Sequence, residues 1–370
     1  MQVELLQTAY VEGEVLALAL GPSLAVTRTA SLADRARVWD VRTGALVSVL
    51  QGHTDCVLAA AVSPDGGRVV TGSSDRTARV WDLSAGGAVA VLNTVLLGHT
   101  DAVSAVAISP DASAAVTGAK DNTARVWDLA TGETAKVLEG HTDAVSAVAI
   151  SRDGNTALTG SFDRTARVWS LTAGERVRVL QGHASFVCAV ALSLDGSRAV
   201  TGSYDRTARV WDSTSGEAMM VLEGHDALVD TVVLSPTQCV AVTGSGDKTA
   251  RVWDLRTGEA LASLETGNPL GAVAVTPDGS EVVAGCWDGR VRRYRLTRVG
   301  RVAVLAFMCA AVKRDAAGLA QRDCLTRVRR IAVEACMGDG ARRPVLAPAA
   351  RLLMRSGDHS VMVRVLRFLL

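Results

Sequence analysis

The sequence predicts an all-β fold: a ring of like units, each made of short strands. Three observations carry this. First, the chain is self-similar at a nearly fixed period. Trp39, Trp81, Trp127, Trp169, Trp211, Trp253 and Tyr294 follow one another at intervals of 42, 46, 42, 42, 42 and 41 residues. Such a period marks a repeat architecture whose units bury their faces on one another. Second, the register inside a unit is constant. Gly-His pairs end at His53, His99, His141, His183 and His225; each His is followed by Asp after 22 residues and by Trp after 6 more. Asp-Arg-Thr-Ala-Arg-Val-Trp recurs unchanged at 75–81, 163–169 and 205–211. Third, the stretch Gly182–Asp212 shows what a unit contains. Val187–Ser193, Arg198–Gly202 and Thr207–Trp211 read as strands. Leu194-Asp195-Gly196-Ser197 and Ser203-Tyr204-Asp205-Arg206 read as turns, because Asp and Gly tolerate the backbone angles of a tight reversal.

These residues resemble the WD-repeat family, over roughly residues 1–300. The resemblance implies a β-propeller whose blades are four-stranded antiparallel sheets; seven closing aromatics imply seven blades. It also implies a structural role for four residues per unit, a hydrogen-bonded chain holding the three inner strands of a blade together. Residue by residue these are His53, Thr71, Asp75 and Trp81; His99, Thr117, Asp121 and Trp127; His141, Thr159, Asp163 and Trp169; His183, Thr201, Asp205 and Trp211; and His225, Thr243, Asp247 and Trp253. Hydroxyl, imidazole and carboxylate also make a hydrolytic triad. An enzyme, however, needs one activated nucleophile in a pocket, not five equal copies. A satisfied buried polar network fixes a unique packing instead.

Taken in order, residues 2–9 read as a strand, with Leu6-Gln7 matching Leu50-Gln51 and Leu180-Gln181 at the end of an outer strand. Blade one (about 13–50) is degenerate: it lacks Gly-His, and Asp34 stands 5 residues before Trp39. Blade two (about 53–95) has the full set. The linker Val89–Gly98 then carries four extra residues, read as a bulge on an outer edge strand. Blades three to six are regular, apart from Ser170 in place of Asp after Trp169. Blade seven (about 269–296) has Asn268 for His, Ala284 for Thr and Tyr294 for Trp, so its network is expected to be mostly absent. Two strands compete to close the ring, residues 2–9 and Arg301–Leu305; the N-terminal one ties both ends of the ring together and is favoured.

The propeller is assigned to residues 1–299 and a basic extension to 300–370. The extension is expected to be mainly helical or partly disordered. Helical spacing shows in Leu319–Val333, and Gly338-Asp339-Gly340, Pro344 and Pro348 break it. The last stretch, Val361–Leu370, is open to three readings: a helix docked on the ring, a helix for a partner, or one on a membrane surface.

Composition bounds the function. The 370 residues are 48% hydrophobic and carry a net charge of +1, split as −7 over 1–299 and +8 from Gly300 onward. The acidic propeller disfavours nucleic acid. Seven cysteines without ligand spacing read as reduced, intracellular thiols, with Cys188 and Cys239 in the core. Met1-Gln-Val-Glu-Leu-Leu lacks the basic start of a signal peptide. No stretch reaches the roughly 18–20 apolar residues of a membrane span. A cytoplasmic protein is expected, with the nucleus as the other compartment. Without a phosphate loop, a metal-ligand cluster or an isolated nucleophile–base pair, neither cofactor, metal nor enzymatic activity is expected. His359 stands alone in the extension.

The placement of aromatics is informative. Phe162, Tyr204 and Trp287 each occupy the residue before a turn Asp, and Phe186 lies three after its His, with Leu228 as its counterpart one blade on. Blades two and three have Ser74, Cys56, Lys120 and Ala102 at these positions. Aromatics in surface loops are enriched where proteins bind. Phe162, Phe186, Tyr204, Leu228, Asp230 and Trp287 are therefore the candidate surface for a protein or peptide partner, on a passive scaffold. A second class rests on Trp-Asp-x-Arg, at Trp39-Asp40-Val41-Arg42 and Trp253-Asp254-Leu255-Arg256. The latter resembles the box of propellers that serve as substrate receptors of cullin–RING ubiquitin ligases, departing from it at Ala250. That reading puts Arg42 or Arg256 against a ligase adaptor on the opposite face.

Overall fold

The computed structural model describes residues 2–10, 14–19, 24–28, 35–40, 42–83, 91–171, 176–235, 240–276 and 280–297. They form seven four-stranded antiparallel sheets. In blades one to six, four consecutive strands make each sheet in chain order. Blade five, for example, runs Val187–Leu192, Arg198–Ser203, Ala208–Asp212 and Ala218–Leu222. Short hairpins at Asp, Gly and Ser let neighbours in sequence pair. The innermost strand of blade one, Glu14–Ala19, lies against those of blades two and seven, Val57–Val62 and Leu270–Val275, so the sheets close into a ring.

The ring is closed by the N-terminal strand. Blade seven consists of Leu270–Val275, Glu281–Cys286, Arg290–Thr297 and, outermost, Gln2–Tyr10, paired from Gln2 against Thr297 to Tyr10 against Arg290. The register differs from the expectation built on Leu6-Gln7. Leu50 and Gln51 pair with Ala36 and Arg35 of blade one. The matching places in blade seven, opposite Val291 and Arg290, are held by Ala9 and Tyr10. The register shift between Leu5 and Gln7, opposite Tyr294, is the one found opposite Trp39 in blade one, and the strand runs on to Tyr10. Arg301–Leu305 and the rest of the extension lie outside the described residues, as do Asp34 and Cys239.

The four extra residues of blade two also fall elsewhere than expected. Its outer strand, Val91–Leu96, pairs with Ala78–Asp82, and the register shift between Val80 and Trp81 is the one seen at Val126 and Trp127 in blade three. Trp81 faces Leu92, 11 residues on, whereas Trp127 faces Thr134, 7 on. The four extra residues therefore precede Val91, and the ladder keeps its register.

The core lies between blades. The layer between blades four and five joins Leu158, Ala166, Val168 and Leu180 of one to Val187, Ala199 and Trp211 of the other. Equivalent layers fill the four other boundaries from blade one to blade six. A Cβ on Gly202 would stand 2.9 Å from both Val229 Cγ1 and Val229 O, so the seam closes only with glycine there.

Candidate partner-binding face

Each of blades two to six carries the same buried chain of hydrogen bonds. The Trp indole Nε1 donates to the Thr hydroxyl at 2.8–2.9 Å (Trp81–Thr71 through Trp253–Thr243). The hydroxyl meets His Nε2 at 2.7–2.8 Å. His Nδ1 meets the Asp carboxylate at 2.7–2.8 Å. The carboxylate only accepts, so Nδ1 carries the ring proton and Nε2 accepts from the hydroxyl. Burial lowers the pKa of His99, His141 and His225 against the opposing pull of their Asp partners, which keeps these rings neutral. On Asp75, burial pushes upward. Hydrogen bonds from Thr77, His53 and the Thr54 backbone outweigh it and hold the carboxyl at about 2. The order of atoms is that of a hydrolytic triad, but the five Thr side chains are fully buried, out of a substrate's reach.

The degenerate blades keep parts of this chain. In blade one, Trp39 Nε1 donates to Thr27 Oγ1 at 2.9 Å. Thr27 was hidden in the sequence because it stands 12 rather than 10 residues before its Trp. Blade seven has lost most of the chain, as expected, since Ala284 offers no hydroxyl to its neighbours. Asn268 Nδ2 donates to Asp288 Oδ2 at 2.6 Å, in the place of the His–Asp bond, and Tyr294 Oη donates to Glu265 O at 2.9 Å.

The network fixes the loops at one end of the strands. The His loop and the Asp turn of blades two to seven are further tied by one backbone bond, in blades four to seven Phe162 N donating to Ala144 O, Tyr204 N to Phe186 O, Gly246 N to Leu228 O and Trp287 N to Pro269 O, at 3.0–3.1 Å. The two positions singled out in the sequence are thus side by side in those six blades. In blades four and five the rings meet. Phe162 stacks on Phe186 across the blade boundary, with centroids 4.7 Å apart, and Phe186 meets Tyr204 at 5.8 Å. Phe186 and Tyr204 remain 36% and 42% exposed, so the cluster is a surface feature rather than core. Leu228 is half-buried. Trp287 is half-exposed, and no ring contact joins it to the other three among the described residues.

Asp230 differs from its expected place on the surface. It is the second residue of the innermost strand Val229–Leu234, and its Oδ2 is buried without a hydrogen-bond partner. Burial pushes its carboxyl up to about 7. Cys188 is half-buried on the neighbouring strand, its thiol pushed well above the usual range by burial and then by the Asp230 charge.

Arg42 and Arg256 lie at the other end of the strands, in the turns after Asp40 and Asp254. Asp40 Oδ1 accepts from Arg42 N at 2.7 Å, and the Arg42 guanidinium stands 3.8 Å from its Oδ2. Arg256 folds back more tightly, with Nη2 2.9 Å from Asp254 Oδ2 and Nε 3.3 Å from Oδ1. Both arginine side chains are more than half exposed.

Among the described residues no helix is long and apolar enough to cross a membrane. No curated protein matches the chain. The family described as WD domain, G-beta repeat matches residues 44–82, 90–128, 132–170, 174–212, 216–254 and 258–295. Each matched segment starts with the outer strand of one blade and ends with the third strand of the next, so sequence repeats and blades interlock. The seventh unit, the strand Gln2–Tyr10 with the first three strands of blade one, completes the ring without a match of its own. With more than half of its length matched in register with seven four-stranded blades, the chain belongs to the WD-repeat family of β-propellers.

Proposed function

We propose that the protein is a non-catalytic scaffold that holds a protein or peptide partner against the loop face of blades four to six. The observation that carries this is the contiguous, solvent-facing cluster of Phe162, Phe186 and Tyr204. Exposed aromatic rings cost solvation and recur as interface anchors. Leu228 continues the surface on blade six, and Trp287 is a separate contact on blade seven. An intracellular location belongs to the same reading, supported by the unpatterned cysteines. The test is affinity capture with wild type and with the pair Phe186→Ser and Tyr204→Ser. The partner is lost from the pair while the melting temperature stays within about 2 °C, since surface changes cost about 0.5 kcal/mol or less. Capture that survives the pair overturns the reading.

A second reading, substrate receptor of a cullin–RING ligase, draws support from the exposed Arg256 guanidinium, oriented by Asp254. Charge reversal of Arg42 and Arg256 together discriminates, because only this reading predicts loss of a ligase adaptor.

A further inference from the structure

The second residue of the innermost strand forms a column across the blades. In blade three it is Ser104, whose Oγ donates to Val145 O of the next blade at 2.5 Å and lies 3.3 Å from Gly118 O of its own. Ser146 repeats this toward Val187 O at 2.5 Å and Gly160 O at 3.2 Å. Cys188 does so through sulfur, toward Val229 O at 2.9 Å and Gly202 O at 3.6 Å. Each time one hydrogen-bearing side chain bonds the carbonyl of the residue that opens the next blade's innermost strand. In blade six the column holds Asp230, and the matching acceptor is Leu270 O, at the start of Leu270–Val275. The seam is closely packed there: a Cβ on Gly244 of blade six would stand 2.9 Å from Leu270 Cδ1 and 3.1 Å from Leu270 Cβ. An ionised carboxylate only accepts, so it has nothing to give a carbonyl. Protonated, it carries one O–H, the donor that Ser104, Ser146 and Cys188 supply.

Among the described residues no hydrogen bond or ion pair reaches the Asp230 side chain, and its Oδ2 is buried. A buried charge left in this state is costly. The elements packed against it offer no relief. Val187–Leu192 brings Cys188, and Arg198–Ser203 brings Arg198 at its far end, since Ser203 is the residue paired with Val187. The turn that follows carries Tyr204, Asp205 bound to His183, and the exposed Arg206. In blade six itself Asp226 and Lys248 are exposed, and Asp247 is bound to His225. Val240–Ser245 and Leu270–Val275 carry no titratable side chain. Burial alone pushes the Asp230 carboxyl up to about 7, so both of its forms are populated near neutral pH.

We infer that Asp230 is a proton-operated latch between blades six and seven: as a neutral acid it donates to Leu270 O, and on ionisation it releases that carbonyl and the seam loosens. The acid form completes the row of donors begun by Ser104, Ser146 and Cys188. The carboxylate form sets acceptor against acceptor in a place of low dielectric, where an unmade bond is most costly. Leu58 and Gly271 bring no donor to the column, and the serine hydroxyls and the raised Cys188 thiol keep their hydrogens at neutral pH. From blade two to blade seven the column therefore responds to pH at one seam. The latch lies at the loop-face end of that seam, because Leu270 follows Pro269, whose carbonyl accepts from Trp287 N at 3.1 Å.

Cys286 reports on this seam. It is fully buried and pairs with Leu270 in the ladder of blade seven. The test is alkylation of the full chain by N-ethylmaleimide at pH 6 and pH 8, with the rate at Cys286 read by mass spectrometry of its peptide. The references are Asp230→Asn, whose amide keeps a donor at every pH, and Asp230→Ser, which installs the hydroxyl of blades three and four. Dividing the wild-type rate by a reference rate removes the thiol's own pH dependence. The ratio should be near one at pH 6 and roughly fivefold or more at pH 8. An infrared difference between wild type and Asp230→Asn should show a protonated carboxyl at pH 6 that is gone at pH 8. A ratio near one at both pH values overturns the inference, as does a ratio already high at pH 6 or a missing carboxyl band there. An equal rise at Cys188, on the seam between blades five and six, marks opening of the whole ring and overturns it too.

Discussion

His183 and Asp205 stand 22 residues apart in the chain and 2.7 Å apart in space, joining the loop that enters blade five to the turn between its second and third strands. The same carboxylate accepts from Ala184 N at 3.0 Å, Thr207 N at 3.0 Å and Thr207 Oγ1 at 2.7 Å. One side chain therefore closes two loops of the proposed binding face, and the rigidity of that face depends on it.

Asp205→Ala leaves His183, almost fully buried, without its acceptor. The expected cost is about 1–3 kcal/mol, the penalty for an unsatisfied buried donor. It should appear as a lower urea midpoint with an unchanged slope. A mutant as stable as wild type would show that the bond contributes nothing.

The network also sets the response to acid. Asp75 titrates at about 2 in the folded chain against 3.8 as its ordinary value, so its contribution is complete above about pH 4 and is lost as pH falls toward 2. Asp163, Asp205, Asp121 and Asp247 are shifted the same way. His99, His141 and His225 have folded pKa values below 6.5, so the unfolded chain takes up their protons first and stability starts to erode as pH drops through that value. Measured in an Asp230→Ser background, which lacks the opposing titration of that carboxyl, urea midpoints should decline in two stages from pH 7 downward, the steeper one below about pH 4. A midpoint independent of pH over that range contradicts the assignment.

Ring closure by Gln2–Tyr10 predicts an order of truncations. Deleting residues 1–11 removes the whole outer strand of blade seven and exposes the edge Arg290–Thr297. An unpaired edge strand invites association. The melting temperature should fall sharply and the protein should begin to self-associate, whereas deleting 301–370 should change the melting temperature far less. Thermal scans and light scattering on the two truncations decide it; the reverse order refutes the closure.

The parts of this architecture that could be read from the sequence are those enforced by constant spacing. A His, a Thr, an Asp and a Trp at fixed separations leave one register, and the blades follow from it. Where spacing lapses, residue identity misleads. Leu6-Gln7 looks like Leu50-Gln51, yet with no Gly-His behind it only the ladder against Arg290–Thr297 locates the strand. Asn268 reads as a lost His, but an amide N–H serves the Asp288 carboxylate as an imidazole does. The aromatic cluster was legible because Phe162 and Tyr204 recur at one position of the repeat and Phe186 stands at the position paired with it across the loops. Asp230 looked like one more acidic surface residue. Its isolation depends on which carbonyls its counterparts serve, and that needs the seam between blades.

The strongest consequence of that isolation is a pH dependence opposite in sign to that of the network. Burial raises the Asp230 carboxyl from 3.8 to about 7. The groups coupled to its charge are the Cys188 thiol and the Tyr204 phenol, whose own pKa values burial raises, so both are neutral below pH 8. Between about pH 4 and 7 the unfolded chain releases this proton and the folded chain keeps it, so Asp230 makes folding progressively less favourable as pH rises, with no further change above about 7. Asp230→Ser removes this cost and returns a hydroxyl donor to the seam. The variant should therefore be more stable than wild type at pH 8, by an amount that shrinks as pH falls and disappears near pH 4. Urea midpoints of the two proteins at pH 4, 6 and 8 test this. A constant difference across the three would mean that Asp230 is not held against its charge, and an Asp230→Ser variant less stable at pH 8 would mean that the carboxylate has a partner.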